Sequence, residues 1–305
     1  MEFTYFTTLV REEVERRTGD CYKVLLNDVT KNNGVVLRGL TVTQDDSNIS
    51  PTIYLNNYYE EYIKGRATLL NVVNDVMDTY QRNKVNQSVD MRYFLDYERV
   101  KDSVVYKLIN TEKNKELLED IPHIEFMDLS IVFQCMVAQE DIGTASILIH
   151  NVHLKLWDVS IGKLYQAAKE NTQRIQKYEI RSITEVLREI TRAENPDGFD
   201  DDSCMEDFSD GVPMYVLSNE RRVEGAACML YPNLIRDFAE AMGSSFYIIP
   251  SSIHELLLLP TEHIEECGEI KNMIREINDT QVSIEEMLSY SLYLYDKDEG
   301  KIIQL

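Results

Sequence analysis

Apolar residues recur every three or four positions from Glu2 to Arg17, a helical period, and Gly19 follows as a stop signal. Beyond it the period shortens to two. "YKVLLNDVTKNNGVVLRGLTVTQ" predicts two strands around Asn32-Asn33-Gly34, because Asn-Gly supplies the positive φ of a tight hairpin. Pro51 then favours an extended approach, with Tyr54, Tyr58, Tyr59 and Tyr62 carried into a short tyrosine-rich helix stopped by Gly65. Leu69, Val72, Val73, Val76 and Tyr80 form one stripe of a helix from Leu69 to about Arg82, and another helix is predicted to begin near Met91.

The middle of the chain is rich in strand formers. "SVVYKLIN", "IEFMDLSIVFQCMVA" and "ASILIHN" predict three strands in an antiparallel meander, with a short helix in "TEKNKELLED" and a turn at Gly143. Two helices follow, one capped by Ser160 and one by Ser182, which has Glu185 at capping-box spacing. After Gly211, "PMYVLSN" and "GAACMLYP" predict strands separated by "ERRVEG"; Leu234 to Met242 predicts a helix ended by Gly243. "SFYIIPSSIHELLLLP" predicts strand, break, strand; Glu262 to Asn278 predicts a helix; a hairpin turning at Asp298 to Gly300 closes the chain. Strand pairs and helix runs without strict alternation predict an α+β fold with mixed or antiparallel sheets and packed helices, in two subdomains.

Residues 194–211, "ENPDGFDDDSCMEDFSDG", carry eight acids and no Lys or Arg among turn formers. The expected organisation is therefore an α+β domain over 1–194, an acidic loop or linker over 195–211, and a smaller α+β subdomain over 212–305 packed on the first.

Charge narrows the choice of partners. With 53 acids against 31 bases the formal net charge is −22, so a phosphate backbone or anionic lipid is repelled and a basic protein is attracted. No apolar run approaches the ~20 residues of a membrane span. The opening stretch lacks a signal peptide's apolar core, and five cysteines without a CxxC pair suit a reducing compartment, so a cytoplasmic protein is expected. No direct nucleic-acid binding, membrane attachment or cofactor is expected. Phosphate-loop, dinucleotide, zinc-protease and GxSxG motifs are all missing.

Three places could hold chemistry. In "YIIPSSIHELLLLP", Ser252 and His254 share a face of an extended chain, which could set a hydroxyl beside an imidazole with Glu255 adjacent; turn completion by Ser251 and Ser252 is the competing reading. His150 and His153, three apart, would share one side of a helix as metal ligands with Asp158 nearby, although zinc takes three or four converging ligands. His123 and Glu125 would share a strand face as base and orienting acid. "NERR", Asn219 to Arg222, is a local basic spot able to hold a carboxylate or phosphate.

The segments "TKNNGVVLRGL", "ISPTIYLNNYYEEY", "IPHIEFMDLSIVF", "NVHLKLWDVSIGKLYQAAKENT", "MYVLSNERRVEGAACMLYP" and "FYIIPSSIHELLLLP" together resemble the bacterial family catalogued as domain of unknown function 5688, over nearly the whole chain. Two of them, "WDVS...LYQAAKENT" and "YIIPSSIHELLLL", are more weakly similar to domain of unknown function 1444. The resemblance implies a protein of anaerobic Gram-positive bacteria associated with mobile elements, and it assigns no catalytic residue. The function expected is that of a non-catalytic interaction or accessory protein with a protein partner. A DNA mimic that blocks a defence enzyme, and a hydrolase or metal enzyme built on the residues above, are the alternatives.

Overall fold

Asn33 (φ 58°) and Gly34 (φ 69°) both adopt the left-handed conformation, and they fold β1 (Tyr22–Thr30) onto β2 (Val36–Gln44) with Tyr22 opposite Gln44 and Thr30 opposite Val36. This hairpin belongs to a computed structural model that describes residues 1–44, 50–84, 91–139, 143–194, 213–250, 252–263 and 267–305. Two compact units emerge from its contacts: Met1–Leu95 with Ala138–Ala145, and Asp96–Val137 with Ser146–Leu305. The acidic segment expected as a linker lies outside the described residues.

In the first unit β3 (Thr52–Tyr54) joins β2 to complete a three-stranded antiparallel sheet. The helical stripes read from the sequence meet one side of it. Phe6, Val10 and Val14 of α1 (Phe3–Thr18) and Val72, Val73, Val76 and Tyr80 of α3 (Leu69–Asn83) are buried with Val24, Leu40, Val42 and Ile53 of the strands. Between β3 and α3, α2 (Asn56–Ile63) packs its rings inward: Tyr59 lies 5.0 Å from Phe3 and Tyr62 lies 5.2 Å from Phe6. The tyrosine group is thus helix packing.

The second unit holds two antiparallel sheets. After the single turn of α4 (Tyr97–Val100), β4 (Val104–Asn110) leads through α5 (Lys115–Asp120) to β5 (His123–Phe126), β6 (Leu129–Gln139) and β7 (Gly143–Leu148). β6 is central, flanked by β4 and β5 and also paired with β7. The run read as one strand, "IEFMDLSIVFQCMVA", is two, because Met127 takes a left-handed turn (φ 57°) that folds β5 back on β6. Gly143, expected as a turn, begins β7.

Helices α6 (Asn151–Trp157) and α7 (Ile161–Ile175) follow, and α7 packs on β4: Thr172 accepts the Tyr106 N–H at 3.0 Å and the Asn171 amide donates to Val104 O. The larger sheet runs β13-β12-β10-β11-β9-β8, entirely antiparallel. Its members are β8 (Tyr178–Ser182), β9 (Tyr215–Asn219), β10 (Phe246–Ile249), β11 (Leu256–Pro260), β12 (Tyr293–Asp296) and β13 (Lys301–Gln304). β8 and β9 pair with each other from the two sides of segment 195–212, with Tyr178 opposite Asn219 and Ser182 opposite Tyr215.

Helix α8 (Ile183–Glu194) starts at the Ser182–Glu185 capping box, α9 (Leu234–Met242) ends at Gly243 (φ 81°), and α10 (Cys267–Thr280) buries Ile270 and Ile274 against β10 and β11. "GAACML", expected as a strand, is a 3-10 helix over Gly225–Leu230, buried from Gly225 to Met229. The fold is α+β, built from antiparallel sheets and packed helices. Among the described residues no helix is long and apolar enough to cross a membrane.

Candidate functional site

The break between β10 and β11 is a knot of hydrogen bonds. The Ser252 hydroxyl oxygen accepts the backbone N–H of His254 at 3.0 Å, the short-range turn that serines adopt after a proline-ended strand. The His254 carbonyl accepts the Ser218 hydroxyl at 2.7 Å, and Ile253 joins Glu286 O through its N–H and Ala226 N through its carbonyl. The chain approaches so closely that a Cβ on Gly225 would stand 2.3 Å from Ser218 Oγ and 2.5 Å from His254 O.

The imidazole is held on both sides. His254 Nδ1 accepts the Glu224 backbone N–H at 3.2 Å, so that nitrogen is unprotonated and the neutral ring carries its hydrogen on Nε2, which faces Glu286 Oε1 at 3.5 Å. Glu224 reaches this position in a left-handed conformation (φ 57°), two residues after Arg222 does the same (φ 53°). Its half-buried carboxylate meets Lys107 Nζ of β4 at 2.8 Å and accepts from the Gln134 amide of β6. Sequence reading found His254 but missed Glu224, Lys107, Gln134 and Glu286. They lie 30 to 147 positions from it along the chain, and only folding joins them.

Chemically the knot is committed to holding backbone. Ser252 Oγ is turned to the main chain of His254, and among the described residues no hydrogen bond links it to the ring, as a nucleophile and its base require. Glu255 is half-buried and shows no hydrogen bond or ion pair among the described residues. Ser251 lies outside them.

The other sequence candidates fall apart from this knot. His150 and His153 open α6: His153 Nδ1 accepts the His150 N–H at 2.9 Å, His150 Nδ1 sits 2.6 Å from Asp120 Oδ2, and His153 stacks on Trp157. Burial, then the neighbouring His150, pushes the His153 pKa down. Asp158 ends the helix in the left-handed conformation (φ 51°), and no group of three or more His, Cys, Asp or Glu able to hold a metal occurs among the described residues. His123 bonds Ile121 O at 3.1 Å, while Glu125 is exposed on the same strand. In "NERR", Arg222 holds an internal carboxylate, Glu189 of α8, at 2.7 Å; Arg181 of β8 shares it at 2.5 Å. Burial raises the Cys135 and Cys228 thiols to about 12, so both are inert core residues.

A second polar cluster escaped the sequence reading. Asp128, in the β5–β6 turn, accepts the hydroxyls of Ser289 at 2.5 Å, Ser291 at 3.0 Å and Tyr293. All three donors are satisfied, so this carboxylate ties that turn to β12.

An open, aromatic-walled recess of the second unit lies elsewhere, on the edge strand β8. Tyr178 and Ile180 floor a cleft of about 570 Å³ walled by Leu234, Asp237 and Phe238 of α9 and by Tyr231, whose hydroxyl donates to Gln176 O at 2.6 Å. Glu220 and Lys177 stand at its rim.

Matching of the family model over residues 3–297 places the chain in the Family of unknown function DUF5688. No curated protein and no solved structure matches it.

Proposed function

We propose that this protein acts by binding another protein and not by transforming a substrate. The carrying observation is the His254 knot, where the Ser252 hydroxyl and the His254 imidazole that the sequence offered as a catalytic pair each accept a main-chain N–H instead of bonding each other, and Glu255 joins neither among the described residues. The partner is a basic protein, since a chain of net charge −22 attracts cationic surfaces at long range. The setting is the cytoplasm of a bacterium, as the wider resemblance, including that to domain of unknown function 1444, suggests.

DNA mimicry draws less support. A phosphate array needs unneutralised charge at regular spacing, whereas Glu13, Glu60, Glu61, Glu98, Glu112, Glu189 and Glu299 each face a Lys or Arg. The test is reconstitution. A partner captured from expressing cells should re-form a stoichiometric, salt-sensitive complex with the purified protein, and His254→Ala should change stability without abolishing any turnover. Hydrolysis of an ester or peptide substrate that disappears in His254→Ala would refute the reading.

A further inference from the structure

We propose that the edge of β8 left open by the described strands and the cleft beside it take an extended basic segment of the partner protein as an added seventh strand; this rests on the interaction reading above. Lys177 O accepts the Glu220 N–H and Ile183 N donates to Met214 O, and both pairs continue the β8–β9 register. In an antiparallel pair the bonded positions alternate, so odd-numbered residues of β8 face β9 and even-numbered ones face outward. Ser182 N–H is taken by Glu185 of the capping box. Tyr178 and Ile180 therefore present two N–H and two C=O groups at an edge that no described strand covers.

The same two residues floor the cleft, so strand addition and side-chain capture coincide. A segment paired antiparallel to β8 would set the residues opposite Tyr178 and Ile180 on the cleft face, beside Leu234 and Phe238 and within reach of Glu220 and Asp237. The intervening residue would face the side of Glu179, Arg181 and Glu189. Cationic and apolar residues in alternation suit this lining, where two carboxylates accompany one lysine. The opposite edge, β13, carries a Lys301–Glu299 pair.

The probe is a fluorescein-labelled heptapeptide of alternating lysine and valine, followed by anisotropy with the full chain. Binding should weaken about tenfold, or ~1.4 kcal/mol, when alternate peptide nitrogens are methylated to block strand pairing. Asp237→Lys and Glu220→Lys, which leave the ladder intact, should weaken it similarly. Ile180→Pro removes only an outward N–H and should do the same, with circular dichroism checking its fold. Binding indifferent to methylation and to Ile180→Pro would be charge attraction alone and would overturn strand addition. No peptide binding, alongside a reconstituted partner complex that survives these variants, would overturn it and spare the interaction reading; absence of both would sink the two together.

Discussion

Gly225 is where one missing atom decides whether the His254 knot can form. Two of the three atoms a Cβ would strike, His254 O at 2.5 Å and Asn219 N at 2.6 Å, are backbone and cannot swing aside. Gly225→Ala should therefore cost about 3 kcal/mol, the upper range for overpacking a filled site. Gly162 in α7 is the internal contrast: its nearest neighbour is Ser160 Oγ at 4.0 Å, so Gly162→Ala should stabilise by about 0.5 kcal/mol through backbone entropy. Urea midpoints of the two variants, moving in opposite directions, check both. Little of this was legible beforehand, because a glycine in "RVEGAAC" looks the same whether it faces solvent or a carbonyl. What could be read was local: Asn33-Gly34 and Gly243 took the positive φ their positions demanded. Left-handed Met127 and Glu224 carried no such mark, since neither residue type favours that conformation and tertiary contacts impose it.

Elements with their own period or their own caps were the ones the sequence announced. Helix α3 buries the stripe its spacing drew, and α8 begins at Ser182 because the hydroxyl accepts the Glu185 N–H at 3.2 Å while Glu185 accepts the Ser182 N–H at 3.1 Å. Ser182→Ala should cost about 1 kcal/mol in thermal or urea unfolding. Glu185→Gln, whose amide oxygen accepts the same N–H, should stay within about 0.5 kcal/mol of the parent; a Ser182→Ala variant as stable as the parent would show that the box contributes nothing. Elements whose identity depends on neighbours were misread. "GAACMLYP" has strand-like apolarity, but Gly225 and two alanines let six residues coil tightly beneath Ser218 and His254. The break after Pro250 was foreseen as a turn, and Ser252 does serve one. Its companion carboxylates were invisible because long-range pairing leaves no spacing to count.

At the scale of the whole molecule, charge was the clearest message and topology the least. Nothing in the order of segments says that β8 and β9 pair from the two sides of an acidic stretch, since a ladder is specified by faces and edges that composition does not encode. The surplus of acids, in contrast, is plain, and it has a thermodynamic consequence. Each exposed Glu–Lys or Glu–Arg pair contributes at most about 1 kcal/mol and weakens with salt, while the net charge of −22 makes self-repulsion favour the expanded chain. Both effects are screened, with opposite signs. Because 53 acids face only 31 bases, many carboxylates repel one another with no partner of their own, so relief of repulsion should outweigh loss of pairs. Raising the salt from low ionic strength to a Debye length of roughly 8 Å should therefore raise the unfolding midpoint, although a complex with a basic partner weakens over the same range. A midpoint that falls with added salt would mean that the ion pairs dominate, and the net charge would then lose its place as the force that steers a cationic partner in.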